Sequence, residues 1–105
     1  MGLGTWSGNC WALTDDLTQP TWPDFATQWA RGPEGTRKLD FEVCDVLDGY
    51  AMGALTRLLA DWLDGGGRLV LLQPPQLVLH NLYRVGRYPH PNLVAQAPRS
   101  DEPYG

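Results

Sequence analysis

The chain has 105 residues and a formal net charge of −4, with 12 acidic and eight basic side chains. This length fits one domain that can bury a single core without disulfides or metals. The charge argues against a nucleic-acid ligand, because phosphate binding needs a clustered basic face and the Lys and Arg residues are spread along the chain. No stretch resembles a secretory signal or reaches the ~18 to 20 apolar residues of a membrane span, so we expect a cytosolic protein.

The N-terminal segment predicts a β-hairpin. Residues 3–6 and 10–14 read as two short strands, and the Ser-Gly-Asn segment between them supplies the conformations of a turn. Trp6, Trp11 and Leu13 are bulky apolar side chains of these strands. We expect them to cover the sheet as core residues.

A helix is predicted next, from Thr21 to about Arg31. Thr21 offers a hydroxyl cap, Pro23 falls in the first turn, and Asp24 follows the cap by three residues. The apolar positions of this helix form one stripe: Trp22, Phe25, Ala26, Trp29 and Ala30. Residues 32–38 begin with Gly and Pro, which end the helix and predict a surface loop.

The centre of the chain predicts a strand followed by an amphipathic helix. Leu39, Phe41 and Val43 recur at every second position of residues 39–44, the period of a strand with one buried face. From Gly49 the period changes to three and four residues, which indicates a helix that ends at a triple glycine. The positions expected to face the core are Met52, Leu55, Leu58, Leu59, Trp62 and Leu63. The positions expected on the opposite side are Gly53, Thr56, Arg57, Ala60, Asp61 and Asp64.

The C-terminal third predicts one more strand and helix, then an edge strand. Residues 68–73 contain a continuous apolar run, which is typical of a central strand covered on both faces. Residues 76–86 read as a helix, and residues 92–96 as a short edge strand. The inward positions of this helix are Val78, Leu79, Leu82 and Val85. Residues 97–105 should form a flexible tail, which leaves residues 1–96 as a single domain.

No residue pattern predicts catalysis, a metal or a cofactor. Cys10 and Cys44 lack metal-ligand and CxxC spacing and read as reduced, buried thiols. His80 and His90 have no partner His, Cys or acid at ligand spacing. The triple glycine follows a helix and precedes a strand, the wrong end for a phosphate cradle built from helix N-terminal amides. We therefore expect a protein that is not an enzyme.

The predicted elements follow an order that occurs in a known family: two strands, a helix, then strand, helix, strand, helix and strand. Four segments match that family: WALTDDLT at residues 11–18, LDFEVCDVLDGYAMGAL at 39–55, LLADWLDGGGRLVLLQPP at 58–75 and LYRVGRY at 82–88. Together they resemble the STAS domain, the fold of the bacterial anti-sigma factor antagonists. The resemblance implies an α/β STAS fold with a mixed sheet of four to five strands and about three helices packed mainly on one face.

The sequence departs from the STAS pattern at its regulatory position. Asp40 and Asp48 match the strand acid and the loop acid of the family's signature. The Ser or Thr that is phosphorylated in the family corresponds here to Gly49, and the family's Gly two residues on corresponds to Ala51. We therefore expect no phosphorylation site, so binding would not be switched by a phosphate at the helix N-terminus.

Among STAS proteins, single-domain members that accompany an ABC transporter of phospholipids are the most similar. This branch implies a non-catalytic adaptor without a cofactor, cytoplasmic and peripheral to the inner membrane, that binds the transporter's ATPase subunit. The alternatives are an anti-sigma factor antagonist or other signalling module, which would bind an anti-sigma factor kinase, and an enzyme or nucleotide binder. The partner surface implied by the resemblance comprises Gly49, Tyr50, Gly53, Thr56, Arg57, Ala60 and Asp61.

Overall fold

Eight elements form the fold in the computed structural model, which describes residues 3–99. The strands are β1 (Trp6–Ser7), β2 (Cys10–Ala12), β3 (Thr36–Asp40), β4 (Arg68–Leu72) and β5 (Leu93–Gln96). The helices are α1 (Trp22–Ala30), α2 (Gly49–Asp64) and α3 (Gln76–Arg84). The strands lie side by side in chain order, from β1 at one edge of the sheet to β5 at the other.

The sheet is mixed. β1 and β2 are antiparallel, whereas β2 to β5 run parallel and are linked by α1, α2 and α3. Because such crossovers are right-handed and the strands advance in one direction across the sheet, all three helices fall on the same side. The predicted α/β class, the mixed sheet and the three helices are confirmed.

The core lies between the three helices and one face of the sheet. Trp11, Leu39 and Leu71 are in register on β2, β3 and β4, and all three are fully buried. The helices contribute Phe25, Trp29, Ala51, Leu55, Leu59, Leu63, Val78, Leu79 and Leu82 to the same cluster. Each large apolar side chain that is fully buried contributes about 1.5–3 kcal/mol, so this cluster is the main source of stability.

No helix among residues 3–99 packs on the other face of the sheet. This open face is formed by Cys10 and Ala12 of β2, Thr36, Lys38 and Asp40 of β3, Arg68, Val70 and Leu72 of β4, and Val94 and Gln96 of β5. The sequence predicts β4 to be the sheet's centre with both faces covered, and this prediction is wrong. β3 is the middle strand, and Val70 and Leu72 remain partly exposed because β4 has only one covered face.

β3 begins and ends earlier than the sequence predicts. Thr36, in the predicted loop, is its first residue, and the chain leaves the sheet after Asp40. The carboxylate of Asp40 accepts the N–H of Glu42 at 2.9 Å, which bends the backbone away from the strand direction. Phe41 still enters the core, but Val43, predicted to be buried, is 65% exposed.

Arg37, also in the predicted loop, extends from β3 to the helical side and is only 4% exposed. Its guanidinium donates to the carbonyls of Trp29 at 2.7 Å, Gly32 at 2.9 Å and Pro33 at 2.8 Å. Three indole rings surround its Cζ, with centroids at 5.3 Å, 4.5 Å and 4.1 Å for Trp6, Trp29 and Trp62. Burial lowers the pKa of Arg37, while the carbonyls at the negative end of α1 and the ring faces favour its charge. Arg37 thus ties α1 to the sheet.

The triple glycine ends α2 as predicted. Gly66 adopts a φ of +92°, the left-handed conformation that glycine takes without strain. Its N–H donates to the carbonyl of Leu63 at 3.0 Å, and the N–H of Gly67 donates to that of Trp62 at 3.0 Å. This pair of hydrogen bonds is a Schellman cap, so the chain reverses directly into β4.

The other two helices occur as predicted but differ in details at their ends. α1 begins where expected, but Thr21 makes no side-chain cap, because its hydroxyl donates to the carbonyl of Asp16 at 3.1 Å. Ala30, predicted on the apolar stripe, is exposed. The last helical residue of α3 is Arg84, and Gly86, the predicted end, caps the helix with a φ of +77° and an N–H that donates to the carbonyl of Tyr83 at 2.9 Å. Val85, predicted to face inward, is exposed.

Only the start of the predicted tail lies within the described residues. Arg99 donates to the carboxylate of Asp45 and to the carbonyls of Phe41 and Cys44, which fixes the chain against the loop after β3. Residues 100–105 lie outside the described part of the chain. None of the helices within residues 3–99 combines the length and the apolar character required to cross a bilayer.

Candidate functional site

The N-terminus of α2 is organised by Asp48. Its Oδ1 accepts the N–H of Ala51 at 2.8 Å and its Oδ2 accepts the N–H of Gln19 at 2.7 Å, so this acid caps the helix and joins it to the segment before α1. These backbone hydrogen bonds, led by that of Ala51, hold the pKa of Asp48 below its usual value. Gly49 follows as the first helical residue, and Tyr50 is 55% exposed. Both predicted contact residues at the start of α2 are accessible.

Further along α2, the structure separates the predicted partner residues into two groups. Gly53, Arg57 and Asp61 are exposed, as predicted. Thr56 and Ala60 are 8% and 9% exposed, so their predicted place on the exposed side is wrong. α3 packs along this side of α2, and small side chains let the two helices approach closely. Periodicity within α2 could not reveal a neighbour contributed by another helix.

A groove of about 380 Å³ runs between α2 and α3. Its α2 side consists of Gly53, Thr56, Arg57, Ala60, Asp61 and Asp64, which include five of the predicted partner residues. Its α3 side is formed by Asn81, Val85 and Arg87. The guanidinium of Arg87 donates twice to Asp64, at 2.8 Å each, and thereby bridges the two helices. We call this groove the polar groove.

A second groove, of about 490 Å³, runs between α1 and α2 on the other flank of the same helix. It is lined by Trp22, Trp29, Ala54, Arg57, Leu58, Asp61 and Trp62, and we call it the tryptophan groove. Arg57 and Asp61 line both grooves, so α2 forms a ridge between them. A Cβ added to Gly53, one turn before Arg57, would meet no atom within 4 Å. We call Gly53, Arg57 and Asp61 the α2 ridge.

Exposed apolar side chains flank the start of the α2 ridge. Val43 and Leu47 in the loop after β3 are 65% and 59% exposed, and Tyr50 follows them on α2. The loop is fixed in place, because the N–H of Leu47 donates to the carbonyl of Leu17 at 2.9 Å. The N–H of Leu17 in turn donates to the carbonyl of Asp45 at 2.8 Å. These exposed apolar side chains are therefore available for contact with a partner beside the α2 ridge.

Sequence reasoning missed several of these residues. Val43 follows the alternation of a strand, so its exposure became visible only with the turn at Asp40. Both walls that face α2 come from distant parts of the chain: Trp22 and Trp29 from α1, and Asn81, Val85 and Arg87 from the region of α3. The one available signal was the excess of tryptophan, five in 105 residues, since large aromatic side chains are enriched at binding surfaces.

The described residues bring together little that could perform chemistry. Within residues 3–99, no three His, Cys, Asp or Glu side chains are placed so that they could hold a metal ion. Cys44 is buried, and this burial raises the pKa of its thiol to about 12, which keeps it in the unreactive protonated form. His80 is exposed on α3, where its ring stacks on that of Tyr83 with centroids 6.5 Å apart.

Comparison with protein-family models, with curated proteins and with solved structures finds no match to this chain. The resemblance to the STAS family accordingly rests on the sequence segments given above. The fold agrees with it at the level of an α/β domain with a mixed five-stranded sheet and three helices.

Proposed function

We propose that this chain is a non-catalytic, STAS-like adaptor that binds the cytosolic ATPase subunit of a phospholipid ABC transporter. The proposal rests on the resemblance of the sequence segments to MlaB, the small subunit of the Mla phospholipid transport system. In this proposal the chain is cytoplasmic and held at the inner membrane through its partner. Its contact surface is the α2 ridge together with Gly49 and Tyr50.

One observation carries the proposal: the α2 ridge is exposed, lies between two grooves, and has a glycine with free space above it. Gly53 presents bare backbone at a position where an added Cβ would meet no atom within 4 Å. Glycine in the interior of a helix costs about 1 kcal/mol relative to alanine, so intramolecular stability does not explain its presence. Close approach of a partner backbone does explain it. Tyr50 and Arg57 add residue types that dominate binding energy at interfaces.

The alternative is a signalling STAS module that binds an anti-sigma factor kinase through the same surface. Gly49 disfavours it, because a chain without a hydroxyl at this position has lost the switch on which such signalling depends. A constitutive adaptor needs no switch. Both versions use the α2 ridge, so they differ in the partner that is captured rather than in the residues that capture it.

The test is affinity capture from detergent-solubilised membranes of the native host, followed by mass spectrometry. The wild type is compared with Gly53→Trp, which blocks the α2 ridge, and with Thr27→Trp, which adds the same bulk at an exposed position of α1 outside both grooves. Both variants are expected to fold, since neither position is buried.

Capture of an ABC ATPase and its permease by the wild type and Thr27→Trp, but not by Gly53→Trp, supports the adaptor. Capture of a soluble anti-sigma kinase with the same pattern would replace the adaptor with the signalling module. If Gly53→Trp captures the same partner as the wild type, the α2 ridge is not the contact surface.

A further inference from the structure

The open face of the sheet is unusual for strands that run parallel. Parallel sheets occur almost entirely with both faces covered, and four of the five strands here are parallel. All three helices are on the other side, and the open face keeps Val70, Leu72 and Val94 accessible. This face lies on the side of the sheet opposite to the α2 ridge, so it can be occupied independently of the proposed function.

We propose that the open face binds a second copy of this chain, so that two sheets pack face to face about a two-fold axis. Two rows of side chains cross the open face at neighbouring positions. The first row is Cys10, Lys38, Val70 and Val94, and the second is Ala12, Asp40, Leu72 and Gln96. In this dimer the two-fold axis lies between the two sheets, perpendicular to the strands and midway between the two rows. Rotation about this axis places the first row of one copy opposite the second row of the other copy.

The charges on the middle strand select this axis. With it, Lys38 of each copy meets Asp40 of the other, which gives two ion pairs at the centre of the contact. Val70 meets Leu72 of the other copy, so apolar groups also face each other. A two-fold axis along the strands would instead place Lys38 on Lys38 and Asp40 on Asp40, which is electrostatically unfavourable. Neither residue has an ion-pair partner among the described residues.

The size of the open face limits the expected affinity between the two copies. The four strands of the open face, β2 to β5, are spaced by about 4.8 Å and span roughly 14 Å, and the five residues of β3 or β4 at about 3.3 Å each extend roughly 16 Å along the strands. The contact is therefore smaller than the about 800 Å² per partner of a standard interface, and belongs with weak, transient associations. We therefore expect a weak dimer whose population rises with protein concentration.

Sedimentation velocity on the full chain from 10 µM to 500 µM tests this expectation with two charge variants. Lys38→Asp gives the middle strand two acids, and Asp40→Lys gives it two bases. Each variant alone is expected to sediment as a monomer, because like charges then meet across the axis. An equimolar mixture is expected to dimerise at least as well as the wild type, since the acidic middle strand of one variant complements the basic one of the other.

Controls separate the interface from effects on folding. Arg31→Asp changes an exposed charge at the end of α1 and should leave the wild-type dimer intact. Circular dichroism confirms that each variant is folded, which matters for Asp40 because its carboxylate accepts the N–H of Glu42. A wild type that stays monomeric at 500 µM overturns the proposal. A dimer that survives Lys38→Asp, or a variant mixture that remains monomeric, also overturns it.

Discussion

Arg37 and Lys38 are neighbours on β3 and carry the same charge, yet they meet opposite environments. Arg37 is enclosed by three tryptophans and by carbonyls at the end of α1. Lys38 lies on the open face. The alternation of a strand separates the two side chains, and the placement of all helices on one side decides which of them is buried. The two faces of one sheet therefore serve different purposes: one stabilises the fold, and the other is available for contacts.

The largest difference between the two faces is expected from removing each charge in turn. Arg37→Leu leaves the carbonyls of Trp29, Gly32 and Pro33 without their donor and should cost about 3 kcal/mol of unfolding free energy. Lys38→Leu should change it by less than about 0.5 kcal/mol. Urea denaturation at 5 µM protein measures both variants. Equal effects of the two substitutions would show that Arg37 is not the link between α1 and the sheet.

The reaction rates of the two cysteine thiols compare the open face with the buried interior in the wild-type protein, without any substitution. Cys10 lies on the open face, whereas Cys44 is buried and has a pKa raised to about 12. A disulfide reagent at pH 8 should therefore modify Cys10 at least about 100-fold faster than Cys44, which needs local opening of the protein first. Mass spectrometry of tryptic peptides over time assigns each thiol. Urea serves as the control, because unfolding should make the two rates similar.

A smaller loss of stability is expected from a substitution at Gly67, which packs against the indole of Trp62 in the turn after α2. A Cβ on Gly67 would overlap the indole of Trp62, with Cδ2 only 2.7 Å away. Gly67→Ala should therefore destabilise by about 1–3 kcal/mol, since the ring must move. Gly65→Ala is the matched control, because its Cβ would lie in ordinary contact, 3.5 Å from the carbonyl of Asp61. Similar thermal midpoints for the two variants would contradict the tight packing of Trp62.

The smallest effect is expected from acid titration of Asp48, which belongs to the helical layer. Its pKa in the folded protein lies below the usual 3.8, so its carboxylate stabilises the fold fully above about pH 5. That contribution is lost as the pH falls through the folded pKa, because the protonated group no longer accepts charge-assisted hydrogen bonds. Denaturation of the wild type and Asp48→Asn should therefore differ at pH 7, and the difference should shrink as the pH falls through the lowered pKa of Asp48. A difference that grows in acid would contradict the assignment of Asp48 as the cap.

The sequence was most informative about elements whose signals are local. The helix from Gly49 and its glycine cap follow from spacing and from the conformations open to glycine, and both occur as predicted. Of the candidate surface, Gly53, Arg57 and Asp61 were placed correctly by the period of α2 alone. Thr56 and Ala60 were not, because the helix that covers them comes from a part of the chain some 20 residues further on.

Local pattern thus determined the element types, their order and much of the core-facing side of each helix, because these depend on neighbours within a few residues. Only the tertiary structure decided which strand is central, where β3 turns away at Asp40, and how α1 and α3 form a groove on each flank of α2. It also decided the burial of Arg37 and the exposure of Val43. Those outcomes depend on contacts between residues far apart in the chain, and no local period encodes them.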